Sequence, residues 1–493
     1  MRAHAAPIVL GTLAALLLLA NLGGQSLWQD EAQTALLARS VLVHGLPLGT
    51  DGRNFFSQES GAEYGPGYAW RWHTWLPFYV LAGFFAAFGE TTFVARLPFA
   101  LFGAATVVAC FFLARELWRT RRAATLAAGL LLTSVPFLIL SRQCRYYSPA
   151  AFFTVVALHA YVRTLGKGRA APWVFVAASV ALFHTHYVYW AALLAAVLGH
   201  AFLFHAARRA RIASLAAISL LLVLPWALWV AGMPYGARYG ETLADPGRRL
   251  RLLLRFSRGF VQALSPAGLV LLASLPVLSR TRRERPAPDP LRPSALLLLF
   301  TGANIAALAL SAPGWFFRYL APLLPVACLL VARALDAWME RRLVLGLAGL
   351  AVVLAFQPLA EYLYEITHRF EGPIDGIVRY LKEHGSASDV VAITYGDLPL
   401  KFYTGMRVLG GLTGEDLAPA KNATWVIVRR HVLGDPDAGV RRYLIENVPW
   451  ERYERIVIDS PDTMFQNRED PKDHRFRTSR DEEPVVIFRR ARP

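Results

Sequence analysis

Charged side chains are scarce in this sequence: 18% of its 493 residues are Asp, Glu, Lys or Arg, while 55% are hydrophobic. Soluble domains carry about 25% charged residues, so an ordinary soluble chain is excluded. Cysteine is scarcer still. Cys110, Cys144 and Cys328 are the three present, each in or beside an apolar run. No C-x-x-C and no Cys/His zinc spacing exists, so the thiols read as buried apolar groups. No G-x-G-x-x-G follows a strand, and no soluble nucleotide-sugar site is visible. Internal repeats and low-complexity tracts are also missing.

What the chain has in abundance is apolar length. Mean hydropathy is +0.36, and runs near 20 residues, the length of a membrane span, recur through the first 360 residues. The formal net charge is +17. A basic balance can mean nucleic acid, but here Lys and Arg sit in short clusters between apolar runs, the pattern of cytoplasmic loops. The partner expected is the bilayer, and no nucleic acid is expected. The first 24 residues have the composition of a signal peptide without a clean A-x-A site, and read as an uncleaved first helix.

Twelve apolar segments are present, near 7–22, 75–89, 94–114, 123–140, 148–165, 172–184, 187–206, 212–231, 263–279, 294–311, 318–335 and 343–359. If all cross, three arginine clusters, around Arg115–Arg122, Arg208–Arg211 and Arg280–Arg285, fall outside. Removing one crossing before residue 114 brings every cluster inside. The 75–89 segment is the one to remove. As a helix it spans about 22 Å, short of the roughly 30 Å hydrocarbon core, and its aromatic side chains suit an interface. The expected fold is an all-α polytopic membrane protein of about eleven spans, N-terminus cytoplasmic and C-terminus outside. The expected domains are 1–360, with a long outer loop at 23–93, and 361–493, a small extracytoplasmic α/β domain. In the latter, FEGPIDGIVRYLKEHG reads as an amphipathic helix, and DVVAITYGD, TWVIVRR and stretches near 452–459 and 483–490 read as strands. This topology puts 23–93, 141–149, 184–187 and 314–319 on the outer face, joined there by 232–262.

Polar residues with chemistry gather in those outer segments. Asp30 and Glu31 follow the first span, at the start of an amphipathic run. They suit either a reactive carboxylate or a helix N-terminus, with Asp30 as the cap and Gln33 in a capping-box-like position. Arg145 in SRQCRYYSP, with Tyr146 and Tyr147, and Arg318 with Tyr319 lie at outer ends of spans. Arg96 is a third such case. Arginine there either snorkels to headgroups or clamps a phosphate with paired donors. His184 and His186 form an H-x-H pair that, with Asp30, could bind a divalent metal; aromatic-rich interfaces also hold His without one. Asp51, Glu59 and Glu63 sit in a Gly-rich loop, 49–68, long enough to act as a lid. They are either further acids of a site or solvated loop charges.

Taken in order, WQDEAQTALLARSVLVHG, HTWLPFYVLAGFFAAFGETTFVARLPFALFG, SRQCRYYSPAAFF and WFFRYLAPLLP resemble segments of the dolichyl-phosphate-mannose protein mannosyltransferase superfamily, which includes the bacterial lipid A aminoarabinose transferases. The resemblance covers roughly residues 5–340. It implies the glycosyltransferase C-type fold, a bacterial plasma membrane location, a polyprenyl-phosphate-linked sugar donor and a lipid, glycan or protein acceptor. It makes Asp30 the base and Glu31 its catalytic neighbour. Phosphate binding would fall to Arg145, Arg318, Arg96, Tyr146, Tyr147 and Tyr319, and substrate binding to His73, Glu63 and His186. His73 is followed by Thr74-Trp75-Leu76-Pro77, where the family usually has His-Pro-Pro-Leu. No Trp-Trp-Asp run is present, which disfavours an oligosaccharyltransferase. The reading from another class is a transporter or flippase of lipid-linked sugars. Such proteins tend to show paired repeats and broken helices.

Overall fold

Wherever the chain runs apolar, its backbone groups must find partners within the segment, and helices supply them. A computed structural model describes residues 5–166, 168–231, 245–264, 291–410, 415–431, 435–463, 474–479 and 481–491. In chain order the helices are α1 (Ala5–Leu19), α2 (Gln29–His44), α3 (Leu76–Phe88), α4 (Thr92–Trp118), α5 (Arg121–Leu132), α6 (Val135–Ser141), α7 (Tyr147–Leu165), α8 (Ala171–Phe183), α9 (Tyr187–Phe204), α10 (Arg209–Ala231), α11 (Pro246–Leu264), α12 (Leu291–Ser311), α13 (Leu323–Arg341), α14 (Leu343–Ala355) and α15 (Leu359–Thr367). Then come α16 (Pro373–His384), β1 (Val390–Ile393), α17 (Asp397–Thr404), β2 (Arg407–Gly410), β3 (Trp425–Ile427), α18 (Asp435–Asn447), β4 (Tyr453–Pro461) and β5 (Pro484–Arg490).

Eleven of the twelve apolar segments are helical. The segment 263–279 lies almost wholly outside the described residues. Among the described residues four helices are long and apolar enough to cross a membrane: Thr92–Trp118, Tyr187–Phe204, Ala206–Val230 and Pro293–Ser311. The bent pairs α5/α6, at 63°, and α14/α15, at 49°, raise the number to six if each is one span. Pro136 at the start of α6 and Pro358 before α15 lack the N–H that would continue the preceding helix. Leu221 and Leu228 of α10 and Val344 of α14 are more than half exposed, which is the condition of side chains that face lipid rather than water. The protein is therefore a multi-pass membrane protein.

The chain divides into two compact units. The first comprises residues 1–20 and 99–360. The second comprises 21–98, with α2 and α3, together with 361–468 and 472–493. In the first unit Asp336 of α13 is fully buried and receives Arg122 Nε and Thr120 Oγ1, so the α5 N-terminus is tied to α13. Arg142, at the end of α6, donates to the carbonyls of Leu17, Leu18 and Ala20 at 2.7–3.2 Å. These carbonyls lie at the C-terminal end of α1, where no intrahelical donor remains; a cation is also favoured by the helix dipole there.

The second unit is built on a five-stranded sheet of order β2-β1-β3-β5-β4. β1 lies parallel to β2 and β3, while β5 runs antiparallel to both β3 and β4. The interior strand β1, Val-Val-Ala-Ile, is apolar at every position because both of its faces are covered. Val391 and Ile393 pack with Ile377 and Leu381 of α16, and Ala392 packs on the other face with Val440 and Leu444 of α18. α16 and the strands fall where the sequence places them. β2, α17 and α18 are additions. The first loop joins this unit through hydrogen bonds: Arg53 donates to the Ala387 and Gly405 carbonyls, and Asn54 pairs with Met406 and Val408 at the edge strand.

Candidate functional site

The acidic segment of the second unit is pinned from several directions. α2 begins at Gln29, with Trp28 in the cap position, and Glu31 accepts the Trp28 N–H at 3.3 Å. Asp30 is thus not the cap, contrary to one of the two sequence readings; Glu31 performs the reciprocal half of a capping box. Glu31 is fully buried and meets Arg96 in two parallel hydrogen bonds, 2.8 Å from Nε and 2.6 Å from Nη2. The same guanidinium donates to the carbonyls of Leu22, Gln25 and Ser26. Glu31 and Arg96, expected as catalytic neighbour and phosphate ligand, are engaged with each other. Their planar match fixes the turn from residue 22 into α2.

Residues of the tail complete that turn. Asp375 accepts the Ser26 N–H at 2.8 Å, and Tyr403 Oη accepts that of Leu27 at 2.9 Å. Burial raises the Asp375 carboxyl above its ordinary value and pushes the Tyr403 phenol up to about 12. Gln29 donates to Asp397 at 2.6 Å, and Asp397 pairs with the fully buried Lys401, which also donates to the Phe55 carbonyl. Nothing in the local sequence announces these tail residues as supports, because each meets its partner across more than 340 positions.

Asp30 is buried to within 8% of its surface, and its Oδ1 accepts the Gln58 amide at 3.1 Å. Gln58 is placed by Glu63. The Glu63 carboxyl accepts the backbone N–H of Gln58 at 2.6 Å and of Glu59 at 3.0 Å, and also the Ser57 hydroxyl. Glu63 is only 1% exposed. Desolvation raises its carboxyl from 4.5 to about 7, against the opposing pull of those hydrogen bonds. The 49–68 loop is therefore folded around a buried acid, with short antiparallel bridges at Leu48–Ala69 and Tyr64–Trp70. His73 lies stacked on the buried Trp70, ring centroids 6.5 Å apart.

In the first unit, three segments distant in sequence converge. Arg145 lies 5.4 Å from the Tyr146 ring centroid. Tyr146 meets Tyr147 at 4.8 Å and His186 at 4.6 Å. His186 stacks on Tyr189 at 4.3 Å, and Tyr189 Oη donates to the Tyr319 carbonyl at 3.1 Å. Arg318 sits 4.1 Å over Phe316 and 5.7 Å over Tyr319. The sequence-predicted Arg145, Tyr146, Tyr147, His186, Arg318 and Tyr319 are thus linked through an aromatic run. Tyr189 and Gln143 were missed. The buried Gln143 amide and His186 Nδ1 have no hydrogen-bond partner among the described residues, a condition that buried polar atoms rarely sustain without a ligand or water.

The two histidines of the H-x-H pair have different surroundings. His184 meets Phe183 and Trp226, whereas His186 meets Tyr146 and Tyr189. Among the described residues no group of three His, Cys, Asp or Glu is arranged to hold a metal ion.

The helical membrane scaffold has the fold of the C-type glycosyltransferases, as its likeness to solved structures shows. Over its full length the chain is similar to ArnT from Cupriavidus metallidurans, crystallised with undecaprenyl phosphate, at 15% identity and a TM-score of 0.63, covering 100% of both chains. The apo form of that protein matches at 14% identity and a TM-score of 0.64. The archaeal oligosaccharyltransferase AglB from Archaeoglobus fulgidus, in complex with an inhibitory peptide and a dolichol-phosphate, matches at 12% identity and a TM-score of 0.60. There 86% of this chain and 69% of AglB are covered. Residues 72–229 match the family model described as dolichyl-phosphate-mannose-protein mannosyltransferase. No curated protein matches. The likeness to the mannosyltransferase family thus lies in residues 72–229, and the likeness to ArnT and AglB lies in the fold.

Proposed function

We propose that the protein is a membrane glycosyltransferase that moves a sugar, hexose or pentose, from a polyprenyl-phosphate donor to an acceptor hydroxyl at the outer face of a bacterial plasma membrane. The topology that goes with this reading has eleven crossings, the N-terminus cytoplasmic and the tail outside. The observation that carries it is the convergence of Arg145 and Arg318 through Tyr146, His186, Tyr189 and Tyr319. Guanidinium groups held on ring faces suit a phosphate whose lipid lies among apolar helices.

In the proposed step the acceptor oxygen forms a bond to the anomeric carbon while the bond from that carbon to the phosphate oxygen breaks. The electron pair leaves with the polyprenyl phosphate, and its charge is stabilised by Arg145 and Arg318. The acceptor proton passes to Asp30. Gln58 orients that carboxylate, and the Glu31–Arg96 pair fixes the turn that carries it. A single displacement inverts the anomeric centre; a covalent intermediate would retain it.

The test is to incubate the purified protein and its Asp30→Asn variant with radiolabelled polyprenyl-phosphate hexoses and pentoses and a membrane extract as acceptor. Label leaving the lipid with wild type alone supports the reading. Label that stays on the lipid but changes leaflet in vesicles supports the transporter instead.

A further inference from the structure

α11 carries five arginines, Arg248, Arg249, Arg251, Arg255 and Arg258, and no acid of its own; Asp245 just before it makes an exposed pair with Arg251 at 3.4 Å, and Arg248 donates to the Pro313 carbonyl. Residues three and four apart share a helix face, so Arg248, Arg251, Arg255 and Arg258 form one exposed row. A second row, Leu252, Phe256 and Gly259, is buried. The Phe256 ring meets Trp315 at 5.0 Å and Tyr319 at 6.4 Å. Gly259 lies so close to Trp315 that an added Cβ would fall 1.8 Å from it. These contacts seat α11 beside the segment that carries Arg318.

A third row is apolar and exposed: Leu250 at 57%, Leu254 at 60% and Val261 at 58%. At about 100° per residue it lies roughly a quarter turn from the arginine row. With one face already packed, the helix shows two others, one cationic and one apolar, side by side along its length. A protein partner would have to match both at once. A membrane interface matches them by its own layering, acyl chains beneath and phosphates above.

We propose that α11 lies in the membrane interface, with Leu250, Leu254 and Val261 in the acyl layer, and that Arg251, Arg255 and Arg258 bind the phosphates of anionic lipid headgroups. The proposal rests on the helix and the membrane character of the chain. It stands whether or not the protein proves to be a transferase.

The test uses the full-length protein reconstituted in phosphatidylcholine with spin-labelled phosphatidylglycerol or spin-labelled phosphatidylcholine. The readout is the motionally restricted fraction of each probe. Wild type should favour the anionic probe several-fold at low salt and less at high salt. The triple variant Arg251→Gln, Arg255→Gln, Arg258→Gln should lose that preference, while the matching triple Lys variant should keep most of it. The single variant Arg255→Gln, the smallest perturbation of folding, should move in the same direction by a lesser amount. No anionic preference in wild type, or an equal preference in wild type and the Gln variants, would overturn the proposal.

Discussion

In the second unit Arg96 is enclosed by Glu31 and three backbone carbonyls, whereas in the first unit Arg145 and Arg318 lie against tyrosine and phenylalanine rings. All three sit beside apolar helical segments, and in the sequence they look alike. Their surroundings separate them. A guanidinium in a bidentate buried pair is a structural part, and removing it strands a buried carboxylate. Arg145 and Arg318 instead meet rings, in the cluster proposed above to take the donor phosphate. One residue type thus packs against a buried acid in one unit and against aromatic rings in the other.

The contrast is testable by separating stability from turnover. Asp30→Asn carries the largest expected effect on chemistry, a fall of about 10²–10⁴ in kcat, the usual contribution of a general base, with little change in Tm. Next, Arg96→Ala should destabilise the protein by about 3–5 kcal/mol, as breaking a buried pair does, seen as an earlier unfolding transition. If Arg96→Ala left Tm unchanged and abolished only donor turnover, the distinction between the arginines would be lost. Arg145→Gln should lower turnover by about 10²-fold, the scale of a lost transition-state donor, with a smaller loss of Tm than Arg96→Ala shows.

A smaller effect concerns Glu63. Its folded-state value, raised from 4.5 to about 7, means that between those limits the folded chain holds a proton that the unfolded chain has released. The Glu63 contribution is therefore full below about pH 4.5 and is lost as pH rises through about 7. Tm measured across that window should fall more steeply for wild type than for Glu63→Gln. The smallest effect is that of Gln58→Ala, which removes one hydrogen bond to Asp30, worth about 1.5–3 kcal/mol when the acceptor is charged. It should lower kcat while leaving donor KM near its wild-type value.

Much of the fold was legible because the apolar runs are long and β1, β3 and β5 each carry a run of β-branched or aromatic residues. β2 was not: Arg-Val-Leu-Gly is four residues long and gains its identity from pairing with β1. At the site, Arg145, His186 and Arg318 could be grouped from sequence because the loop charges put their segments at the same ends of their helices. The role of Arg96 could not, since its partner Glu31 lies 65 positions away and no local pattern links them. Glu63 reads as an ordinary loop acid until the hydrogen bonds from Ser57, Gln58 and Glu59 are seen to converge on it. The support that Asp375, Asp397, Lys401 and Tyr403 give to the acidic helix is likewise a product of tertiary structure.

The most direct measurement is the binding of radiolabelled polyprenyl phosphate, without sugar, to the purified protein and two sets of variants. Wild type and Asp30→Asn should bind it alike, and the double variant Arg145→Gln, Arg318→Gln should lose most of the binding. Equal binding by all three, or loss in Asp30→Asn alone, would contradict a lipid-phosphate site built on the arginine–tyrosine cluster.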